Sequence, residues 1–214
     1  MILTADQKDA VTELVNIAFS RTAAALSELT GNRVELSVPE VSAHPIADLL
    51  PALGRFVHGD VATVHQIFGG PVSGDAFLLL NVDGAAKLVD LLTDAGAPTR
   101  QMGASAREVL SEVGNILLNA CLGVFGDLLH VRFTFAVPRL HLDTLGSMLD
   151  SLVIGHDALR HSLLVGAQFR VRASEVTGCM VMVLGVSSLE QFVRVVEEWA
   201  DEAGGQAGPS RNGD

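Results

Sequence analysis

Tyrosine is absent and tryptophan occurs once, so a core built from this chain must be aliphatic, seasoned only by nine phenylalanines. There are two cysteines, Cys121 and Cys179, each inside an apolar stretch. That usage reads as buried reduced thiols and excludes a disulfide-stapled scaffold. Charge is scarce at 18% of 214 residues, and what there is leans acidic, with 14 Lys+Arg against 25 Asp+Glu and a net charge of −11. A disordered chain is excluded by the 49% hydrophobic content. Nucleic acid and anionic membrane surfaces are poor partners for such a charge balance, because both demand clustered Lys and Arg. No uninterrupted apolar run approaches the ~20 residues that span a bilayer. The N-terminal MILTADQKD turns acidic at once and lacks a signal-peptide apolar region, so a cytoplasmic location is expected.

Familiar catalytic and ligand-binding signatures are missing too. The histidines at 44, 58, 65, 130, 141, 156 and 161 show no HxxxH or HxH spacing, and surface or loop positions are expected for them rather than a zinc site. Gly69-Gly70 precede Pro71 and lack a P-loop lysine, so they cradle no nucleotide. No Ser-His-Asp or Cys-His arrangement suggests a covalent nucleophile.

What is present is order along the chain. Thr4 is placed to cap a long helix that runs to about Leu29 and stops at Gly31. RVELSV at 33–38 alternates like a strand ending at Pro39, and 42–55 reads as a connecting loop or short helix. Strands are expected at 57–67 and 74–82 around the Gly-Gly-Pro turn, then a helix at 84–94 and a linker at 96–103. The second half repeats the order: a helix at 105–129 capped by Ser105 with Glu108, a strand at 131–137 ending at Pro138, strands near 162–172 and 175–186, and a helix at 188–202. The polar, Gly-rich 204–214 reads as a disordered tail.

The repetition is literal at several positions. Glu13 and Glu112 lie 99 apart (112 − 13), and the same offset pairs Asn16 with Asn115, Ile17 with Ile116, Leu29 with Leu128, Val38 with Val137 and Pro39 with Pro138. An ordered set of matches that runs from helix through strand to proline implies two equivalent halves. The expected fold is therefore α/β in the α+β sense, one domain over 1–203 built from repeats at about 5–95 and 104–202. Its hairpin-like strands predict a mainly antiparallel sheet, with two long helices side by side on one face about a pseudo-two-fold axis.

On a helix Asp9, Glu13 and Asn16 stand at i, i+4 and i+7, within roughly 60° of one another, and Ser20 continues the stripe. Glu108, Glu112, Asn115 and Asn119 form the matching stripe on the second helix. Val11, Leu14, Val15, Ala18, Ala25, Leu26 and Leu29 oppose the first stripe, and Leu110, Val113, Leu117, Cys121, Val124 and Leu128 the second. The polar stripes run into small residues, Ala23, Ala24 and Ser27 or Gly123 and Gly126, which would leave a low surface that another protein can approach. Glu and Asn on the outside of an amphipathic helix usually do nothing; two copies of Glu-x-x-Asn-Ile are harder to dismiss, since Asn is a mediocre helix former.

EVGNILLNA at 112–120 resembles the CheC family of chemotaxis phosphatases, and ELVNIAFSRTAAALSELTGNRVELSVPEV at 13–41 is similar to the first copy of the same motif. The family pattern is Asp or Ser, three residues, Glu, two residues, Asn. Asp9, Glu13 and Asn16 satisfy it; in the second copy Glu108 stands at the leading position. The resemblance covers about residues 5–200. It implies a phosphatase that hydrolyses the aspartyl phosphate of a CheY-like response regulator. It implies that Asn16 and Asn115 position the attacking water, and that Glu13 and Glu112 meet a lysine of the regulator. Asp9, Ser20, Glu108 and Asn119 would flank the docked partner. No cofactor of its own is implied, because the Mg²⁺ is the one held by the phosphorylated regulator. Such chemistry needs positioning and charge neutralisation more than a nucleophile. The resemblance equally links the chain to CheD and to the flagellar switch, so the alternative is a non-catalytic binding module. Intact Glu and Asn in both copies favour the enzyme, and the complete first copy predicts that Asn16 matters at least as much as Asn115.

Overall fold

A computed structural model describes residues 3–45, 48–93, 102–148, 150, 161–172, 174 and 176–206. The first helix, α1 (Ala5–Thr30), starts where Thr4 accepts from the Gln7 backbone N–H and the Gln7 side chain accepts from the Thr4 N–H. This reciprocal box satisfies two of the donors a helix start leaves open. It ends at Gly31, whose φ of 64° is left-handed and costs glycine nothing. Strands β1 (Val34–Leu36), β2 (Glu40–Pro45), β3 (Asp60–Gly69) and β4 (Gly74–Asn81) follow, with helix α2 (Leu49–Leu53) between β2 and β3 and helix α3 (Val82–Thr93) after β4. The second half holds α4 (Ala104–Leu128), β5 (Thr134–Phe135), β6 (Arg139–Thr144), β7 (His161–Val171), β8 (Thr177–Gly185) and α5 (Val186–Gln206).

The eight strands form one sheet in the order β1-β7-β8-β4-β3-β5, with β2 also on β7 and β6 also on β3, every pairing antiparallel. Exchanging the halves leaves this pattern unchanged. Leu36 opposite Phe169 matches Phe135 opposite Phe68, and Val41 opposite Val165 matches Leu140 opposite Val64. In the third strand of each half the offset is thus 101 (169 − 68), two more than in the helices. Each half lends its short first strands to the other's sheet edge, so neither half closes its own sheet.

The two long helices pack against each other and against one face. Val11, Leu14, Val15, Ala18 and Leu26 of α1 share a core with Leu110, Val113, Leu117, Cys121 and Phe125 of α4 and with Val64, Phe68, Leu78, Val165 and Met182 beneath. Residues from α3 and α5 join the same core. A second core on the opposite face gathers Leu49, Leu53, Val61, Phe77, Leu79, Leu145, Cys179 and Val181 under α2 and a helical turn at 145–148. Strands buried on both faces explain why the run FLLL at 77–80 is apolar without alternation. By length and composition α4 could cross a membrane, but half of its most apolar 18-residue stretch is buried in this core.

Some local expectations fail for physical reasons. Of the 42–55 stretch expected as a connecting loop or short helix, Leu49–Leu53 is a short helix, but 42–45 belongs to strand β2, because β7 supplies a hydrogen-bonding edge that cannot be seen locally. The run 131–137 is mostly not strand: only Thr134–Phe135 pairs, and β6 takes over after Pro138. Gly103, not Ser105, occupies the cap of α4, and no side chain caps it. The final helix continues to Gln206, into the stretch expected as tail. The linker expected at 96–103 falls largely on 94–101, outside the described residues, as do 207–214.

Gly114 shows how tightly α4 sits on the sheet. A Cβ there would lie 2.5–2.7 Å from three carbons of Val64. Val64 is fully buried and β-branched, so it has little freedom to yield. Gly114→Ala is expected to destabilise by about 1–3 kcal/mol, the overpacking cost outweighing the gain of roughly 1 kcal/mol in helix propensity. Urea denaturation checks this; a more stable variant would mean that α4 can lift from β3 freely.

Candidate functional site

The outward face of α1 carries Asp9, Glu13, Asn16 and Ser20, all exposed. Val11, Leu14, Val15 and Ala18 interleave with them and are buried, so the helix period alone turns the polar side chains away from the sheet. Among the described residues Glu13 and Asn16 have no hydrogen-bond or ion-pair partner. An unpaired carboxylate and an unpaired carboxamide, less than one turn apart on a rigid helix, form a surface ready to meet a partner's cation and a polarised water.

On α4, Glu108 and Glu112 are exposed and likewise unpaired among the described residues. Asn115 and Asn119 differ from their counterparts: both are half-buried and joined, Asn119 Nδ2 donating to Asn115 Oδ1 at 2.8 Å. Behind them Gln66 of β3, 1% exposed, donates to Asn119 Oδ1 at 3.1 Å and to the Ala136 carbonyl at 3.2 Å. The two stripes are therefore alike in sequence and unlike in support.

Gln66 was not among the residues singled out from sequence. The signal existed: β3 directs Ala62, Val64 and Phe68 to the helix-side core, and Gln66 stands among them at the same period of two. A carboxamide on an otherwise apolar face asks for a partner.

The small residues beside the stripes are less open than expected. Ala23 is buried, and Ser27 is engaged, donating to Ala23 O at 2.7 Å and accepting from the Val34 N–H at 3.0 Å. Gly126 faces the chain after α4, since a Cβ there would lie 3.0 Å from Val131 O. Ala24 is exposed and Gly123 faces open space, so the low surface is narrower than the sequence implies. Of the expected core faces, Leu29 is an exception at 37% exposed.

No group of three or more His, Cys, Asp or Glu side chains converges on a metal-sized site among the described residues. His65 departs from the surface expectation: it lies on β3, stacks on Phe77 and contacts Asp75 at 2.7 Å. Both cysteines are free and buried. Burial pushes the Cys121 thiol up to about 12, against a smaller opposing effect of the Thr22 hydroxyl, and pushes Cys179 up as well. Since the thiolate is the reactive form, neither cysteine should react with a water-soluble disulfide reagent at neutral pH until the protein is unfolded. Thiol titration with and without denaturant checks this; fast labelling of the native protein would contradict the packing.

Residues 7–43, which span most of α1 and the first two strands, match the CheC-like family. The CheY-P phosphatase CheC of Bacillus subtilis (strain 168) is 23% identical over 147 residues, 67% of this chain and 70% of that protein. The crystal structure of Thermotoga maritima FliY shares the fold with a TM-score of 0.74 at 16% identity, over 93% of this chain and 100% of FliY. The FliM middle domain from H. pylori aligns with a TM-score of 0.61 at 14% identity, over 90% of this chain and 99% of that domain. The chain is thus similar to CheC-like proteins over its first helix and the strands that follow, and it shares the fold of FliY and of the FliM middle domain over most of its length.

Proposed function

We propose that this chain belongs to the CheC family and is a cytoplasmic phosphatase that hydrolyses the aspartyl phosphate of a CheY-like response regulator. The observation that carries the reading is the duplicated, outward-facing pair of a free carboxylate and a carboxamide, Glu13 with Asn16 and Glu112 with Asn115. The similarity to a CheY-P phosphatase over two thirds of the chain supports the substrate class.

In the proposed reaction the regulator docks across α1 or α4. Glu13 or Glu112 meets a lysine beside the phosphorylated aspartate, and Asp9 and Ser20, or Glu108 and Asn119, flank the contact. The Mg²⁺ belongs to the regulator and arrives with the substrate. Asn16 or Asn115 holds one water in line with phosphorus. The water oxygen forms a bond to phosphorus as the bond from phosphorus to the aspartyl oxygen breaks. That electron pair returns to the aspartate carboxylate, a water proton passes to solvent, and inorganic phosphate leaves. Positioning and charge balance supply most of the acceleration, because the transition state is loose and needs little covalent help.

The likeness to the FliM middle domain supports a second reading, a module that binds a regulator, CheD or the flagellar switch without hydrolysis. Phosphate release from a purified phosphorylated CheY-type regulator, with and without this protein, separates the two. Faster release supports the phosphatase; stable complex formation with no acceleration supports the module.

A further inference from the structure

The chain of carboxamides behind Asn115 has a fixed polarity. The Ala136 carbonyl can only accept, so the Gln66 atom facing it must be Nε2. The same Nε2 reaches Asn119, which must therefore offer Oδ1 to it and Nδ2 to Asn115. Asn115 in turn must answer with Oδ1. A backbone carbonyl thus decides the orientation of three side chains whose oxygen and nitrogen are otherwise interchangeable. The Asn115 Nδ2 is left without a partner among the described residues.

The core gains nothing from this arrangement. Gln66 is buried among apolar neighbours, and its Oε1 has no partner among the described residues. Leaving a buried acceptor unpaired is costly, and an apolar residue of the same size would avoid the cost. The strand register identifies the counterpart of Gln66 in the other half as Ala167 (66 + 101), which has no polar side chain. The counterpart of Asn119 is Ser20 (119 − 99), and Asn16 has no support of this kind.

We infer that Gln66, acting through Asn119, is a positioning residue that holds the Asn115 carboxamide with Nδ2 outward, so that the α4 site is preset as a donor while the α1 site is not. The catalytic consequence rests on the phosphatase reading. At Asn115 the incoming oxygen is gripped by an N–H already aimed at it, whereas Asn16 must be oriented by the docked regulator.

The test uses the full chain with Asn16→Ala, so that only α4 turns over. Gln66→Leu keeps the volume and removes the donor. Asn119→Asp keeps the shape and the acceptor for Gln66 but removes the donor to Asn115, at a position that is only half-buried. Each should lower kcat about tenfold or more; KM should be little changed in Gln66→Leu, whose side chain is buried, whereas Asn119→Asp also alters the contact that flanks the docked regulator. In a chain that keeps Asn16 and carries Asn115→Ala, Gln66→Leu should subtract nothing further from the remaining activity. The side-chain amide signals of Asn115, identified by their loss in Asn115→Ala, should shift toward free-asparagine values in Gln66→Leu and should shift in Asn119→Asp to those of an amide bound to a carboxylate, because the introduced carboxylate can only accept. Folded variants that keep kcat and leave those signals in place would overturn the relay. If the wild-type chain accelerates no dephosphorylation at all, the phosphatase reading fails alone, and the amide signals still decide whether the relay holds Asn115.

Discussion

A chain carrying both Asn16→Ala and Asn115→Ala is expected to fold and to lose essentially all phosphatase activity. Stability should survive because Asn16 is exposed with no partner among the described residues, and such surface changes usually fall within ~0.5 kcal/mol. Asn115→Ala leaves Asn119 Nδ2 without its acceptor, but Asn119 is only half-buried, and water can take that place. Alanine also favours the helix at both positions. Activity should fall because in-line placement of water is the main service such a site performs, and misplacing a reacting atom by 1 Å can cost about 100-fold. Phosphate release from a phosphorylated regulator is the assay, with circular dichroism to establish folding. A folded double variant working at the wild-type rate would refute the mechanism and leave the binding module as the better reading.

The single variants should each retain part of the activity. From sequence, the complete motif at 9–16 makes Asn16 matter at least as much as Asn115. The structure adds a contrary term, since Asn115 alone is held from behind by a buried side chain. Glu108 supplies at its leading position the same charge as Asp9, so the support should decide the order. Asn115→Ala is therefore expected to cost more than Asn16→Ala.

The symmetry of the fold was legible because periodicity and repetition are local or simply spaced signals. Thr4, Gly31 and the α1 apolar stripe fixed the first helix to within a residue or two. The strands at 40–45 and 139–144 were not legible, since each exists only by pairing with the third strand of the opposite half. Tertiary partners override weak local preference there. The capping expectation at Ser105 failed because the chain enters α4 through Gly103, and a backbone path is not written in a two-residue pattern.

The candidate site was legible by its outward face and silent about its inward face. Glu13, Asn16, Glu112 and Asn115 follow from helix spacing and duplication. Gln66 lies 49 residues from Asn115 (115 − 66), and no spacing rule links a strand residue to a helix across the core. The duplication itself misled here, because it encouraged equivalence between two stripes whose neighbours, Gln66 and Ala167, differ.

Reversing both carboxylates, Glu13→Lys with Glu112→Lys, should abolish productive docking and leave the fold intact. Neither side chain is paired with any described residue, so no internal ion pair is lost. Both face solvent at mid-helix, where charge costs little desolvation and terminal dipole effects have faded. In the complex each lysine would confront the regulator's own lysine, and attraction becomes repulsion. An exposed pair contributes ~0.2–1 kcal/mol, and like charges brought together cost more. A loss of ~1.4 kcal/mol raises KM about tenfold, and reversal at both sites should exceed that. Glu→Gln at the same positions should show the smaller effect, because it removes attraction without adding repulsion. Raising ionic strength should narrow the gap between wild type and variant, since exposed charges are screened within about 10 Å at 0.1 M salt. Regulator binding and KM, measured at low and high salt, decide the matter. An unchanged KM at low salt would show that the partner's cation is met elsewhere on this acidic surface, and the docking role of Glu13 and Glu112 would fall while the water-positioning role of the asparagines could stand.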